Sequence, residues 1–222
     1  MIDEDEVWDG DDYVNRLEKG DRLFTDNNER TSFDKVNGYA YQGYKSTSSF
    51  YGYALAYKKA ADKLVQSLEN SPIGFNDSLA LPIVFLYRHY LELLLKDLIR
   101  EGNRILGNPP DPDLPKTHDI NKLWQKLKPI LIQGYKPHIP NVLEMEAVEG
   151  CVAEFAAIDI DSQAFRYPID KKGNSLRNKP YLQNVSYINL QHLAEKMAGI
   201  DGFLCESDMM LLTQPSRANS IS

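Results

Sequence analysis

The chain has 222 residues, 42% of them apolar, and a formal net charge of −7. That length can bury a sizeable core without metal or disulfide staples. Its two cysteines, Cys151 and Cys205, form no C-x-x-C pair, which excludes a zinc ribbon or dithiol redox motif and leaves a single disulfide allowed.

The acidic balance is local. Residues 1–34 hold twelve Asp/Glu against four Lys/Arg, leaving 20 acids and 21 bases in the remainder, so the body of the protein is not expected to repel nucleic acid. Residues 1–45 read as an acidic extension, either a solvated tail or a segment that docks on a basic partner through Trp8 and Tyr13. No secretory leader is expected, because the first residues are acidic where a basic and then apolar segment is needed. The longest apolar run, Leu79 to Tyr87, is too short to span a bilayer. A reduced, cytoplasmic protein away from the membrane is the expectation.

The stretch from Asn37 to Tyr57 carries glycines at 38, 43 and 52 and tyrosines at 39, 41, 44, 51, 53 and 57, and its first part reads as a loop whose rings pack onto the domain, with stacking on bases as the alternative. Phe50, Tyr53, Ala54, Tyr57, Ala61, Leu64, Val65 and Leu68 recur at the spacing of one helical face. Ser48 or Ser49 can cap this helix, and Ser71-Pro72 ends it. A second helix should either start near Asn76-Asp77-Ser78 and kink at Pro82, which lies too deep for the first turn, or start nearer Leu81, and it should stop at Gly102-Asn103. It is apolar over most of its surface, so it should be central. A third is predicted from Asp119 to about Lys128, limited by Pro129, with Thr117 or Asp119 as cap. A fourth runs from about Asn141 to Ile158, with Met145, Val148, Cys151, Val152 and Phe155 along one side. Residues 165–182 look like a short hairpin turning at Lys172-Gly173-Asn174. A fifth helix, about Val185 to Leu204, places Asn189, Leu193, Met197, Ile200 and Leu204 on one stripe, and residues 212–222 form a frayed tail. The expected fold is all-α: an antiparallel bundle of about five helices over 46–211, with a hairpin-like insertion.

Three constellations carry chemistry. In LYRHYLELLLKDLIR, residues 86–100, the positions Arg88, His89, Glu92, Lys96 and Arg100 fall within an arc of roughly 120° at about 100° per residue. Read structurally, Arg88 pairs with Glu92 four residues on, while Lys96 and Arg100 snorkel to solvent. Read functionally, the seam faces a cleft or interface where Arg88 holds a phosphate and His89 moves a proton. In KTHDINKLW, Asp119 fits a helix cap, whereas His118 at a helix N-terminus suits an anion. In AFRYPIDKKGNSLRNKPYL, the bases Arg166, Lys171, Lys172, Arg177 and Lys179 suit a phosphate backbone, with a solvated hairpin tip as the alternative. No phosphate loop, H-E-x-x-H or G-x-S-x-G appears. The four histidines lack metal spacing, so neither a metal nor a cofactor is expected.

The segments LPIVFLYRHYLELLLKDLI, KTHDINKLWQKLKP and SQAFRYPIDKKG, in that order, resemble the HEPN superfamily of prokaryotic helical proteins over about Ala54 to Leu204. The resemblance implies a helical bundle that dimerises through its long helices. It also implies a role in defence or toxin–antitoxin systems, either as a metal-independent endoribonuclease or as a non-catalytic binder of nucleotides or partner proteins. The nuclease branch carries R-x4–6-H, and no Arg here has a His at that spacing. Cleavage would then need Arg88 and His89 to meet His118 or Arg166 from separate segments, supported by Glu92, Lys96 and Asp119. The alternative is a non-catalytic adaptor that docks a partner protein through its acidic N-terminus and polar seam, and a further one is an inhibitor whose acidic tail imitates nucleic acid.

Overall fold

The computed structural model describes residues 50–68, 75–134, 142–159, 162–163, 165–169, 172–173, 175 and 188–212, with the backbone alone at 75–77 and 206–212. The predicted N-terminal extension, the 213–222 tail and most of the hairpin segment lie outside the described residues. Five helices stand among those described: α1 (Phe50–Ser67), α2 (Phe75–Leu106), α3 (Ile120–Gly134), α4 (Val142–Ile158) and α5 (Leu190–Leu212). A 3-10 turn, Leu114–Lys116, precedes α3. The described residues contain no strand, so they are all-α. Near the hairpin segment, Ile169 and Ser175 form one isolated antiparallel bridge, with Gly173 at φ +82° between them.

Helix α2 packs against α1, α3 and α5, while α4 contacts α3 and α5. Every residue from Tyr90 to Ile99 on α2 is buried, as expected for a helix that is apolar on nearly all sides. By length and composition Ser78–Leu106 would suffice to cross a bilayer, which the shorter apolar run alone did not suggest. Here that helix instead forms the core with Ile83, Leu91, Leu95 and Leu98 against Trp124, Leu123, Ile120 and Ala61.

Helix α2 starts at Phe75, next to the expected Asn76-Asp77-Ser78, with Pro82 inside it. Other helix limits differ from expectation. Helix α2 runs past Gly102-Asn103 and closes at Gly107, whose φ is +73°. There the Gly107 N–H donates to Arg104 C=O at 3.3 Å and the Asn108 N–H to Asn103 C=O at 2.8 Å. These are the paired bonds of a Schellman cap, which needs the left-handed backbone glycine supplies. Pro129 does not end α3. The helix carries it as an interior residue, and burial of Ile130 and Leu131 just beyond it offsets the missing N–H. Asp119 is the α3 cap: its Oδ1 accepts from the Asn121 and Lys122 N–H groups at 3.0 and 3.2 Å. Thr117 instead donates its hydroxyl to Asp113 C=O. Asn189, predicted within α5, caps it by accepting the His192 N–H at 2.9 Å, and α5 continues beyond Leu204 to Leu212. On α1, Ala54, Ala61 and Val65 are buried as expected, while Tyr53 turns outward. Both cysteines are free thiols.

Candidate functional site

The middle of the α2 polar seam, Arg88, Glu92 and Lys96, is sealed inside the protein. Arg88 is 0% exposed, Glu92 1% and Lys96 3%, so Lys96 does not snorkel to solvent. Arg100 does stay half-exposed, bonded to Asp97 at 2.8 Å with its guanidinium over the Phe50 ring. Charges this deep persist only when their donors and acceptors are matched, and the match centres on Glu92. Its Oε2 accepts from Arg88 Nη1 at 3.1 Å. Its Oε1 accepts from Lys96 Nζ at 2.8 Å and from His118 Nδ1 at 2.9 Å. Burial alone would raise the Glu92 carboxyl. The hydrogen bond and charge of Lys96, then the Arg88 charge and the His118 hydrogen bond, carry it below its ordinary range.

The seam also clamps the backbone of two turns. Arg88 Nη2 donates to His118 C=O at 2.5 Å and to Asp159 C=O at 3.4 Å, so a single guanidinium nitrogen holds the turn before α3 against the turn after α4. Lys96 Nζ donates to Pro115 C=O at 3.3 Å. Asp159 continues the chain of contacts by accepting the Gln163 N–H on its Oδ1 at 2.7 Å. Nothing in the local sequence marks Asp159 as a partner of α2, since its link to Arg88 spans 71 positions.

His118 is the exposed end of this cluster. Its side chain is 58% exposed while its Nδ1 meets a carboxylate that is 2% exposed. A carboxylate only accepts, so Nδ1 carries the proton and, in the neutral ring, Nε2 is the basic atom. The arrangement is an oriented Glu–His pair capable of accepting a proton. Arg88 and Lys96 cannot complete a nuclease site around it, because both are buried and spent on Glu92 and on backbone carbonyls.

His89 points to a different neighbourhood. Its ring meets Tyr57 edge-on, with centroids 4.5 Å apart, and stacks on Phe85 at 5.7 Å. Burial, opposed by Glu92 and reinforced by the charges of Arg166, Arg88 and Lys96, holds the imidazole below its ordinary pKa. Arg166 is exposed and lies over both the Phe85 and Tyr167 rings. The structure thus joins Arg88, Glu92, Lys96 and His118 in one network, and His89 with Arg166 in an adjoining aromatic one. Lys172 is exposed near the Gly173 turn, while Lys171 and Arg177 lie outside the described residues.

None of these residues lines the apolar groove between α4 and α5. That groove, of about 370 Å³, is lined by Val84, Cys151, Phe155, Leu193, Met197 and Ile200 among others. A second polar network has little signature in the sequence. Lys58 lies 2.9 Å from Asp62 and 3.7 Å from Asp201, Tyr87 donates to Asp62 at 2.8 Å, and Tyr90 donates to Asp201 at 2.5 Å. It pins α1, α2 and α5 together. The Lys58–Asp62 spacing of four was its one readable signal. Among the described residues no three of His, Cys, Asp and Glu gather as a metal site would require. No family model, curated protein or solved structure matches the chain.

Proposed function

We propose that this chain is a HEPN-like helical protein of a prokaryotic defence or toxin–antitoxin system that binds RNA without cleaving it. In this reading the helices form an antiparallel bundle, the Ile169–Ser175 bridge closes a short hairpin, and the protein works in the cytoplasm as a homodimer or beside a partner protein of the same system. The observation that carries it is the complete burial of Arg88, which spends its guanidinium on Glu92 and on the carbonyls of His118 and Asp159. Metal-independent cleavage needs a cation facing the transition-state charge beside the base. His118 supplies a base, and the two cations that share Glu92 with it, Arg88 and Lys96, are buried. Of the candidate residues described, Arg166, Lys172 and His118 are exposed and open to RNA, with Tyr167 beside Arg166.

The adaptor alternative loses Arg88, Glu92 and Lys96 as docking groups, since those side chains are sealed. It is favoured instead by the apolar groove between α4 and α5. The test is to incubate the protein at high concentration with tRNA and mRNA in EDTA, following both retention on a filter and RNA integrity. Retained, intact RNA is expected. Cleavage that disappears in His118→Ala would establish the nuclease, and no retention of any RNA would favour the adaptor.

A further inference from the structure

Five groups form a ladder from the interior to the surface. Tyr57 meets His89 edge-on, His89 stacks on Phe85 with ring planes 11° apart, and Arg166 lies 5.6 Å from the Phe85 centroid and 5.5 Å from that of Tyr167. The inner members are half-buried, and packing accounts for them. Packing does not account for Tyr167, which is 54% exposed, or for its exposed neighbour Ile169. The ladder ends on an open aromatic face.

That end is held in place before any ligand arrives. Arg166 Nε donates to Ser162 C=O at 2.5 Å. Ser162 is buried and adopts φ 59°, a left-handed backbone that a residue with a Cβ takes up at a cost of about 1–2 kcal/mol. The neighbouring Asp159 fixes this turn from below, through the Gln163 N–H on its side chain and Arg88 on its carbonyl. A strained turn whose carbonyl orients a surface arginine is the kind of outlier that accompanies functional sites. Because Arg166 and Tyr167 are already ordered, little further entropy is lost when something stacks on them.

We propose that Tyr167 and Arg166 form a stacking platform for an unpaired RNA base, with the Arg166 guanidinium meeting the adjoining phosphate. The proposal rests on the RNA-binding reading and deepens it: the substrate is single-stranded. Bases in a duplex already have their faces covered by neighbours, whereas an unpaired base offers a face that aromatic and guanidinium planes can cover. The test measures fluorescence anisotropy of three labelled probes with the full chain: a single-stranded oligouridylate, an abasic strand of equal length, and a duplex RNA. The single strand is expected to bind more tightly than the other two. Tyr167→Ala should weaken it roughly tenfold and Tyr167→Phe should leave it within about twofold, following the usual worth of one stacked base. Tyr167 is exposed, so neither change disturbs the core. Single-strand binding unchanged in Tyr167→Ala, or an abasic strand bound equally well, would overturn the platform while leaving RNA binding intact; the patch would then suit a protein partner. Failure of the wild-type chain to bind any of the probes would overturn both readings.

Discussion

The His118 ring is tethered at the surface by a carboxylate sealed in the core: its Nδ1 lies 2.9 Å from Glu92 Oε1. The same oxygen accepts from Lys96, and the other oxygen of Glu92 accepts from Arg88. The α2 seam is therefore a brace. It ties the 3-10 turn, the start of α3 and the turn after α4 to one helix.

Removing one member of a buried, matched charge set leaves the others uncompensated, which costs about 3–5 kcal/mol. Glu92→Ala strands both Arg88 and Lys96, so urea unfolding should show a loss of that size. Arg88→Ala should lose a comparable amount. A loss under about 1 kcal/mol in both variants would mean that the seam is hydrated.

Acid should weaken the fold in two stages of the same sign. His89 has a folded pKa below its ordinary 6.5, so the unfolded chain binds more protons and stability falls as pH drops through about 6.5. Glu92 also has its folded pKa depressed, from an ordinary value of 4.5. Its contribution is complete above that value and is lost as pH falls towards the folded pKa. Thermal melts between pH 8 and 5 should therefore slope downward, by no more than about 1.4 kcal/mol per pH unit for one proton. His89→Phe should flatten that part of the profile, and an unchanged slope would rule out His89 as its source.

The Lys58 network makes a separate demand. Tyr90 is buried and its hydroxyl, whose pKa is raised first by burial and then by Asp201, donates to that carboxylate. A hydrogen bond to a charged group contributes about 1.5–3 kcal/mol. Tyr90→Phe should lower unfolding stability by that amount while leaving RNA binding unaltered. Equal stability would show that water replaces the hydroxyl at no cost.

RNA affinity should fall as salt rises, because each neutralised phosphate on a single strand contributes about −0.7 to the slope of log K against log salt. Arg166→Ala should reduce the steepness of that slope by about one such contribution in a binding titration. An identical slope would place Arg166 away from the phosphate.

The seam was legible because five charged or polar residues at helical spacing in an apolar helix leave few structural options. Its destination was not. Periodicity places Arg88, Glu92 and Lys96 on one face but cannot say that the turns at Pro115, His118 and Asp159 close over it. The proline limits failed for a related reason. Pro129 argued for an end to α3, yet the apolar residues after it, Ile130 and Leu131, bury well enough to draw the helix onward. Asp119 as a cap was readable because a cap is local. The Arg166 ladder was half-readable: the bases were visible in the sequence, and the rings that order Arg166 come from α2 and from its own loop.

The most direct measurement replaces the three buried charges together. Arg88→Met, Glu92→Leu and Lys96→Met combined leave neither seam cation without its carboxylate, so much of the stability lost in the single variants should return. If the seam is a brace, the triple variant should fold and bind single-stranded RNA with an affinity within about threefold of wild type. A triple variant that folds as stably as wild type but no longer binds RNA would contradict that account and place the seam in the functional site.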